Sequence, residues 1–256
     1  MKYKKLLVFV TVLFFLTVSV ICFSTLFKVV DVSVQATVVS SSNEQVLEKT
    51  EACLQNYSGK NLVFVNEGEL KNEIEGQSPY VKVEKVEKIY PNKIKVTVTE
   101  RKEAYVVNYD NSFYVLDDEF YCVAKRTENV ANVPNHRNIL LNLNVADYSV
   151  DALQVNKTFT LNDEVSKSSL QSLTIVVLDK NDVISSITVK VKENAYYNRQ
   201  ITISMVEGVN FVLDKANENV TSKFNFAYSQ YLLMPNKSYA VFTVSVSEQT
   251  GDYILS

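Results

Sequence analysis

The stretch "YVKVEKVEKIYPNKIKVTVTER", residues 80–101, reads as two strands joined by a tight turn. Ile94, Val96 and Val98 point one way, and Lys93, Lys95, Thr97 and Thr99 the other, the period-two alternation of a half-buried strand. Val81 and Val83 share a face, but Val86 is out of phase with them. A β-bulge near Glu84-Lys85 would restore the register. Pro91 and Asn92 are turn formers, Pro because its ring presets φ. The hairpin stops abruptly on Glu100-Arg101, two opposite charges.

Upstream lie the elements that would cover this hairpin. "VVDVSVQATVV" (29–39) alternates, with Val30, Val32, Val34 and Ala36 expected on one face. Ser41 or Ser42, with Glu44 or Gln45 three residues on, suits a capping box. Val46, Leu47, Thr50, Cys53, Leu54 and Tyr57 then follow at helical spacing, and Gly59 suits a left-handed stop. "NLVFV" (61–65) is a short apolar run. Asn66 can cap a second helix carrying Leu70 and Ile74, which Gly76 and Pro79 end. The order over residues 29–100 is β-α-α-β-β, one sheet with two helices on one face.

Downstream, "EAYVVNYDNSFYVLDDEFYCVAKR" (103–126) reads as hairpins, with turns at Asp110-Asn111 and Asp117-Asp118-Glu119. Residues 127–137 lack periodicity and read as a loop. "SKSSLQSLTIVVL" (166–178) starts as a helix, and "DVISSITVKV", "RQITISMV" and "NFVLDK" read as strands. "NVTSKFNFAYSQYLL" (219–233) is a helix whose stripe includes Val220, Phe224, Ala227, Tyr228, Tyr231 and Leu232; core packing explains such a stripe. "YAVFTVSVS" (239–247), a turn at Gln249-Thr250-Gly251 and "DYILS" complete the pattern as strand, turn and short strand.

Residues 6–27 carry no charge, and Lys2, Lys4 and Lys5 precede them. A helix of this length spans roughly 30 Å, the thickness of a bilayer's hydrocarbon core. The lysines should remain on the cytoplasmic side. A cleaved signal peptide has a shorter apolar run of about 7–15 residues and an Ala-x-Ala-like site; this run is longer and no such site follows. An uncleaved anchor is the expectation.

The net charge of −3 hides a basic first segment and an acidic remainder, which gives no electrostatic case for nucleic-acid binding. Five Gly residues in 256 disfavour a phosphate-cradling loop. His136 is the single histidine and lies in the least regular segment, which disfavours a catalytic triad. Cys22, Cys53 and Cys122 have no metal-site spacing and read as single thiols. Acidic pairs such as Asp117-Asp118 fall in turns, where a solvated surface is expected. Neither a metal, a cofactor nor a small-molecule substrate is expected.

Several marks together resemble the POTRA domain of the bacterial cell-division family FtsQ/DivIB: Gly59-x-Asn61-Leu62, "SPYV" at 78–81, "YPNKIKVTV" at 90–98, and Glu100-Arg101 directly after. Asn66 stands where that family usually has Asp, and the Asp-x-x-Gly turn that opens its β domain lacks its Gly here. The resemblance implies an α+β chain: cytoplasmic tail 1–5, transmembrane helix 6–27, POTRA domain 28–100, and a mostly β domain 101–256 with one or two helices. It implies a non-catalytic single-pass protein of the cell membrane, N-terminus cytoplasmic, placed at the division septum with partners of the FtsL and DivIC/FtsB type. The mechanism expected is strand addition at an exposed sheet edge. Thr250, Gly251, Asp252, Tyr253 and Ile254 are the expected edge, with Val244 and Val246 on the neighbouring strand either contacting a partner or packing in the core. Glu100 and Arg101 are expected to act between domains. A POTRA-bearing transport or chaperone module is the rival reading, and an extracytoplasmic hydrolase a weaker one.

Overall fold

The structure, a computed structural model, describes residues 2–37, 44–131, 138–191, 199–238, 240–246 and 252–256. The proposed caps Ser41 and Ser42, the turn residues Thr250 and Gly251, and His136 lie outside the described residues. The chain divides into two compact units, Met1–Arg101 and Lys102–Ser256.

The first unit begins with helix α1, Lys2–Leu26. Its stretch Leu6–Leu26 is long and apolar enough to cross a membrane. Strand β1 (Asp31–Ala36), helix α2 (Glu44–Gln55), helix α3 (Glu67–Gln77), strand β2 (Val81–Ile89) and strand β3 (Lys93–Glu100) follow. The sheet order is β1-β3-β2, with β1 parallel and β2 antiparallel to β3. Ile94, Val96 and Val98 are fully buried and meet Leu54 of α2 and Leu70 and Ile74 of α3 in one core. The register slips between Val83 and Lys85, so the bulge falls where the phase of the valines requires it. Asn66 Oδ1 accepts from the N–H groups of Gly68 (2.9 Å) and Glu69 (3.3 Å), so the amide caps α3 as a carboxylate would.

The short apolar run takes a defined form, and the face expected of Val30 is corrected. "NLVFV" folds as a single 3-10 turn, Leu62–Phe64, because Asn61 Oδ1 accepts from Val63 N and starts the turn. Val30 is 70% exposed, whereas Val29 is 1% exposed. The reason is that residues 27–30 precede the strand alternation. They are laid against the segment 59–62 by bonds from Val29 N to Lys60 O (2.8 Å), Gly59 N to Val29 O (2.9 Å) and Leu62 N to Phe27 O (2.7 Å). Gly59 holds φ at +85°, which suits it to this close approach.

The second unit is one sheet with helices packed on it. Its strands are β4 (Tyr105–Tyr109), β5 (Ser112–Leu116), β6 (Cys122–Arg126), β7 (Ile139–Asn142), β8 (Ile184–Val191), β9 (Arg199–Met205), β10 (Asn210–Leu213), β11 (Val241–Val246) and β12 (Tyr253–Leu255). Their spatial order is β12-β11-β10-β9-β8-β7-β4-β5-β6. Helices α4 (Glu164–Val177) and α5 (Val220–Leu233) bury Leu170, Leu173, Phe224 and Ala227 in its core. Asp110 and Asn111 both have positive φ (48° and 54°), as a two-residue hairpin loop between β4 and β5 requires.

Two charged side chains depart from the surface reading. Asp117 is 1% exposed, not solvated; its Oδ1 accepts from Glu119 N (2.9 Å) and Tyr121 N (2.7 Å) and closes the β5–β6 turn. Lys223, on the apolar side of α5, is 2% exposed. Its Nζ donates to the carbonyls of Asp214 and Lys215, both at 2.8 Å, which satisfies a buried charge. Leu232, placed on the core stripe by its spacing, is 57% exposed.

Candidate functional site

The sheet of the second unit has two ends among the described residues, β6 and β12. They are finished differently. Segment 156–159 runs along β6, with bonds from Cys122 N to Lys157 O (2.9 Å), Asn156 N to Cys122 O (3.0 Å) and Phe159 N to Phe120 O (2.8 Å). The outer side of β12 carries no such backbone bond among the described residues.

The pairing of β12 with β11 sets which groups face outward. Val244 is opposite Leu255, Ser245 opposite Ile254, and Val246 opposite Tyr253, antiparallel. Thr243 and Ser256 exchange both backbone bonds, at 2.8 and 3.1 Å. Such exchanging pairs alternate along an antiparallel ladder. Ile254 therefore bonds inward to Ser245, and the N–H and C=O groups of Tyr253 and Leu255 point away from the sheet. Those are the groups an added strand would use.

The side chains divide by face. Tyr253 and Leu255 are half-buried against the core, and the Tyr253 ring stacks on Phe226 of α5 at 5.6 Å. Ile254 is 47% exposed on the opposite face. Val246 is half-buried, while Val244 is fully buried, so Val244 serves the core and offers no side-chain contact to a partner. Asp252 is exposed just before the strand. The ordering of β12 thus depends on α5, whose Phe224 and Tyr231 pack on Phe211 of β10 (6.2 and 5.9 Å). Tyr231 Oη donates to Glu207 at 2.8 Å, and burial together with this bond pushes its phenol up to about 12.

Glu100 and Arg101 do not form a solvent-exposed pair at a loose strand end. Arg101 is 8% exposed, its N–H donates to Tyr80 O (2.8 Å), and its Nη2 lies 3.7 Å from Glu75 Oε1 on α3. The same carboxylate oxygen accepts from Val83 N (2.9 Å), at the bulge, and lies 3.8 Å from Lys71 Nζ. Glu75 thereby ties α3 to the bulge and to the last residue of the first unit. Arg101 closes that unit, whereas the sequence suggested it as the first residue of the next.

Sequence reasoning passed over a second charged cluster. Asp163 caps α4, accepting from Ser166 N (2.8 Å) and Ser166 Oγ (2.5 Å), and Arg199 of β9 donates to it through Nη2 (2.5 Å) and Nε. The Arg199 guanidinium and Ser166 hold its carboxyl well below the usual carboxylate range. A cap at Asp163 could have been read from the Asp before the helix; the strand that supplies Arg199 could not. No group of three or more His, Cys, Asp or Glu side chains that could hold a metal occurs among the described residues.

Residues 27–101 match the model of the POTRA domain, FtsQ-type. Over 182 residues, 69% of this chain, the sequence is 24% identical to the cell division protein DivIB of Clostridium tetani. The chain spans 64% of the length of that relative. A helix fit to cross a membrane, an FtsQ-type POTRA domain and a largely β unit follow one another in this chain, the order expected from its resemblance to the FtsQ/DivIB family.

Proposed function

We propose that this chain is a non-catalytic, single-pass membrane scaffold of the bacterial division machinery. Its helix α1 anchors it with the N-terminus in the cytoplasm and the two units outside, at the septum. It joins partners of the FtsL and DivIC/FtsB type by accepting a strand along β12. The observation that carries this reading is the outward direction of the Tyr253 and Leu255 backbone groups at an end of the sheet with no covering segment among the described residues. Antiparallel or parallel addition there would supply affinity through the backbone, with specificity from Ile254, Val246 and the residues before Tyr253, Thr250 to Asp252. Glu100 and Arg101 are proposed to fix where the chain leaves the POTRA domain, since Arg101 is held inside that domain.

Co-purification of the full chain with the co-expressed partners, with and without residues 250–256, tests the edge. Loss of the partners on truncation is expected, and unchanged binding removes the β12 proposal. A fluorescent fusion tests the cellular role separately: rings at midcell are expected, and a uniform envelope signal would favour a transport or chaperone module.

A further inference from the structure

The exit of α1 carries an aromatic cluster that edge pairing leaves unused. Phe23, in the last turn of α1, lies 4.9 Å from Phe27 and 6.3 Å from Phe64, ring centre to ring centre. Phe27 in turn lies 6.0 Å from Tyr90. Phe64 is 78% exposed and Tyr90 58%, with Ile89 (43%) and Val63 (36%) beside them. These residues come from three separate places: the helix end, the 3-10 turn and the hairpin tip. Lys28 and Lys60 are exposed alongside.

We propose that this face of the POTRA domain is seated in the membrane surface, with Phe64 and Tyr90 in the boundary between acyl chains and headgroups of the outer leaflet. The inference rests on α1 being a membrane span, and three observations carry it further. The apolar stretch Leu6–Leu26 has 21 residues and 0% of it is buried in the protein. At 1.5 Å per residue it is about 31 Å long, so it matches a hydrocarbon core of about 30 Å and leaves Leu26 at its outer edge. No linker follows, because Phe27, Val29 and Val30 already bond to Leu62, Lys60 and Asn92 at 2.7–2.9 Å. The domain is therefore held at the depth where the helix emerges. Finally, Phe64 reaches back to Phe23, about one helical turn deeper than Leu26. An exposed Phe at that depth meets lipid rather than water. Tyr90 has the ring-and-hydroxyl character that favours a membrane interface, and Lys28 and Lys60 are suited to headgroup phosphates.

The chain contains no Trp, so one introduced Trp reports one position. Single variants Phe64→Trp and Tyr90→Trp of the full chain are reconstituted in vesicles of phosphatidylethanolamine and phosphatidylglycerol. Matched vesicles carry acyl chains brominated near the headgroup or near their middle. Phe15→Trp reports the span, and Gln77→Trp the exposed far end of the POTRA domain. The expected result is strong quenching of Phe64→Trp and Tyr90→Trp by bromine near the headgroup, quenching of Phe15→Trp by mid-chain bromine, and none for Gln77→Trp. If Phe15→Trp is quenched while Phe64→Trp and Tyr90→Trp behave like Gln77→Trp, the surface contact is refuted and the anchor stands. If Phe15→Trp is unquenched, the anchor fails and the contact with it. A blue-shifted but unquenched Phe64→Trp would place a protein neighbour, such as a second copy, on the cluster and refute the lipid contact. Equal quenching of Gln77→Trp would refute a contact made by this cluster.

Discussion

Replacing Phe120 separates two opposed energies in the turn that follows Asp117. Phe120 has φ +62°, a left-handed conformation that costs an ordinary residue about 1–2 kcal/mol. It occupies the fourth position of the Asp117–Phe120 turn, where glycine would bear no such cost. Its ring is 4% exposed and stacks on Tyr105 at 5.3 Å. Removing a buried Phe ring costs about 3–5 kcal/mol, so packing outweighs the backbone strain. Phe120→Gly should therefore destabilise the second unit by about 2–4 kcal/mol, despite relieving the backbone strain. Phe120→Ala loses the same ring but keeps the strain. Gly at this position should be more stable than Ala by roughly 0.5–1 kcal/mol, the reverse of the order in a regular strand. Hydrogen exchange on the full chain, followed for β4 and β5 amides, reads both: faster exchange in both variants, and severalfold slower exchange for Phe120→Gly than for Phe120→Ala. If Ala is as stable as Gly, or if Phe120→Gly stabilises the unit, the turn is not held left-handed against strain by its ring.

Arg101→Met should weaken protection of β2 and β3 by about 2 kcal/mol, below the usual 3–5 for stranding one partner of a buried pair, because Glu75 keeps Val83 N–H and Lys71. Adding Glu75→Gln should recover most of that loss, since the amide oxygen still accepts from Val83 N–H; additive losses in a double-mutant cycle would show that the two side chains are not coupled. The depressed folded pKa of Asp163 means its ion pair contributes fully above the ordinary value of 3.8 and is lost as pH falls below it toward the lowered folded value. Acid titration of the second unit's unfolding should therefore be shallower in Asp163→Asn than in the parent over that window, and identical slopes would count against it. Burial pushes the Cys53 and Cys122 thiols up to about 11, so both should resist a thiol reagent at neutral pH until the chain is denatured. Lys223→Met should cost about 1–3 kcal/mol by removing the donor to Asp214 O, while Lys215 O still accepts from Glu218 N–H (3.2 Å), read as the denaturation midpoint of the second unit.

Local pattern carried the POTRA domain well. The phase slip between Val83 and Val86 required a bulge, and the alternation at Ile94, Val96 and Val98 identified the buried face. Val30 escaped because alternation continues in the letters before the strand begins, and only the bonds to residues 59–62 reveal the break. In the second unit, β7 lies between β4 and β8, parallel to both, and no local pattern specifies such a long-range neighbour. Lys223 was unreadable for a different reason: a lysine's default is solvent, and its two carbonyl partners come from a loop eight and nine residues away. The strand containing Tyr253 and Ile254 was visible in its composition. Which of its backbone groups face outward was not, because that depends on register with β11.

The bonds that bind Phe27, Val29 and Val30 to the POTRA domain leave no swivel between helix and domain. Each residue of an α-helix turns the chain by about 100°. Inserting one residue near the end of α1 would therefore swing the whole domain through that angle relative to anything gripping the helix along its length. In the proposed membrane-spanning arrangement the helix sets azimuth as well as height: a neighbour that selects one stripe of α1 would thereby select the compass bearing of the POTRA sheet.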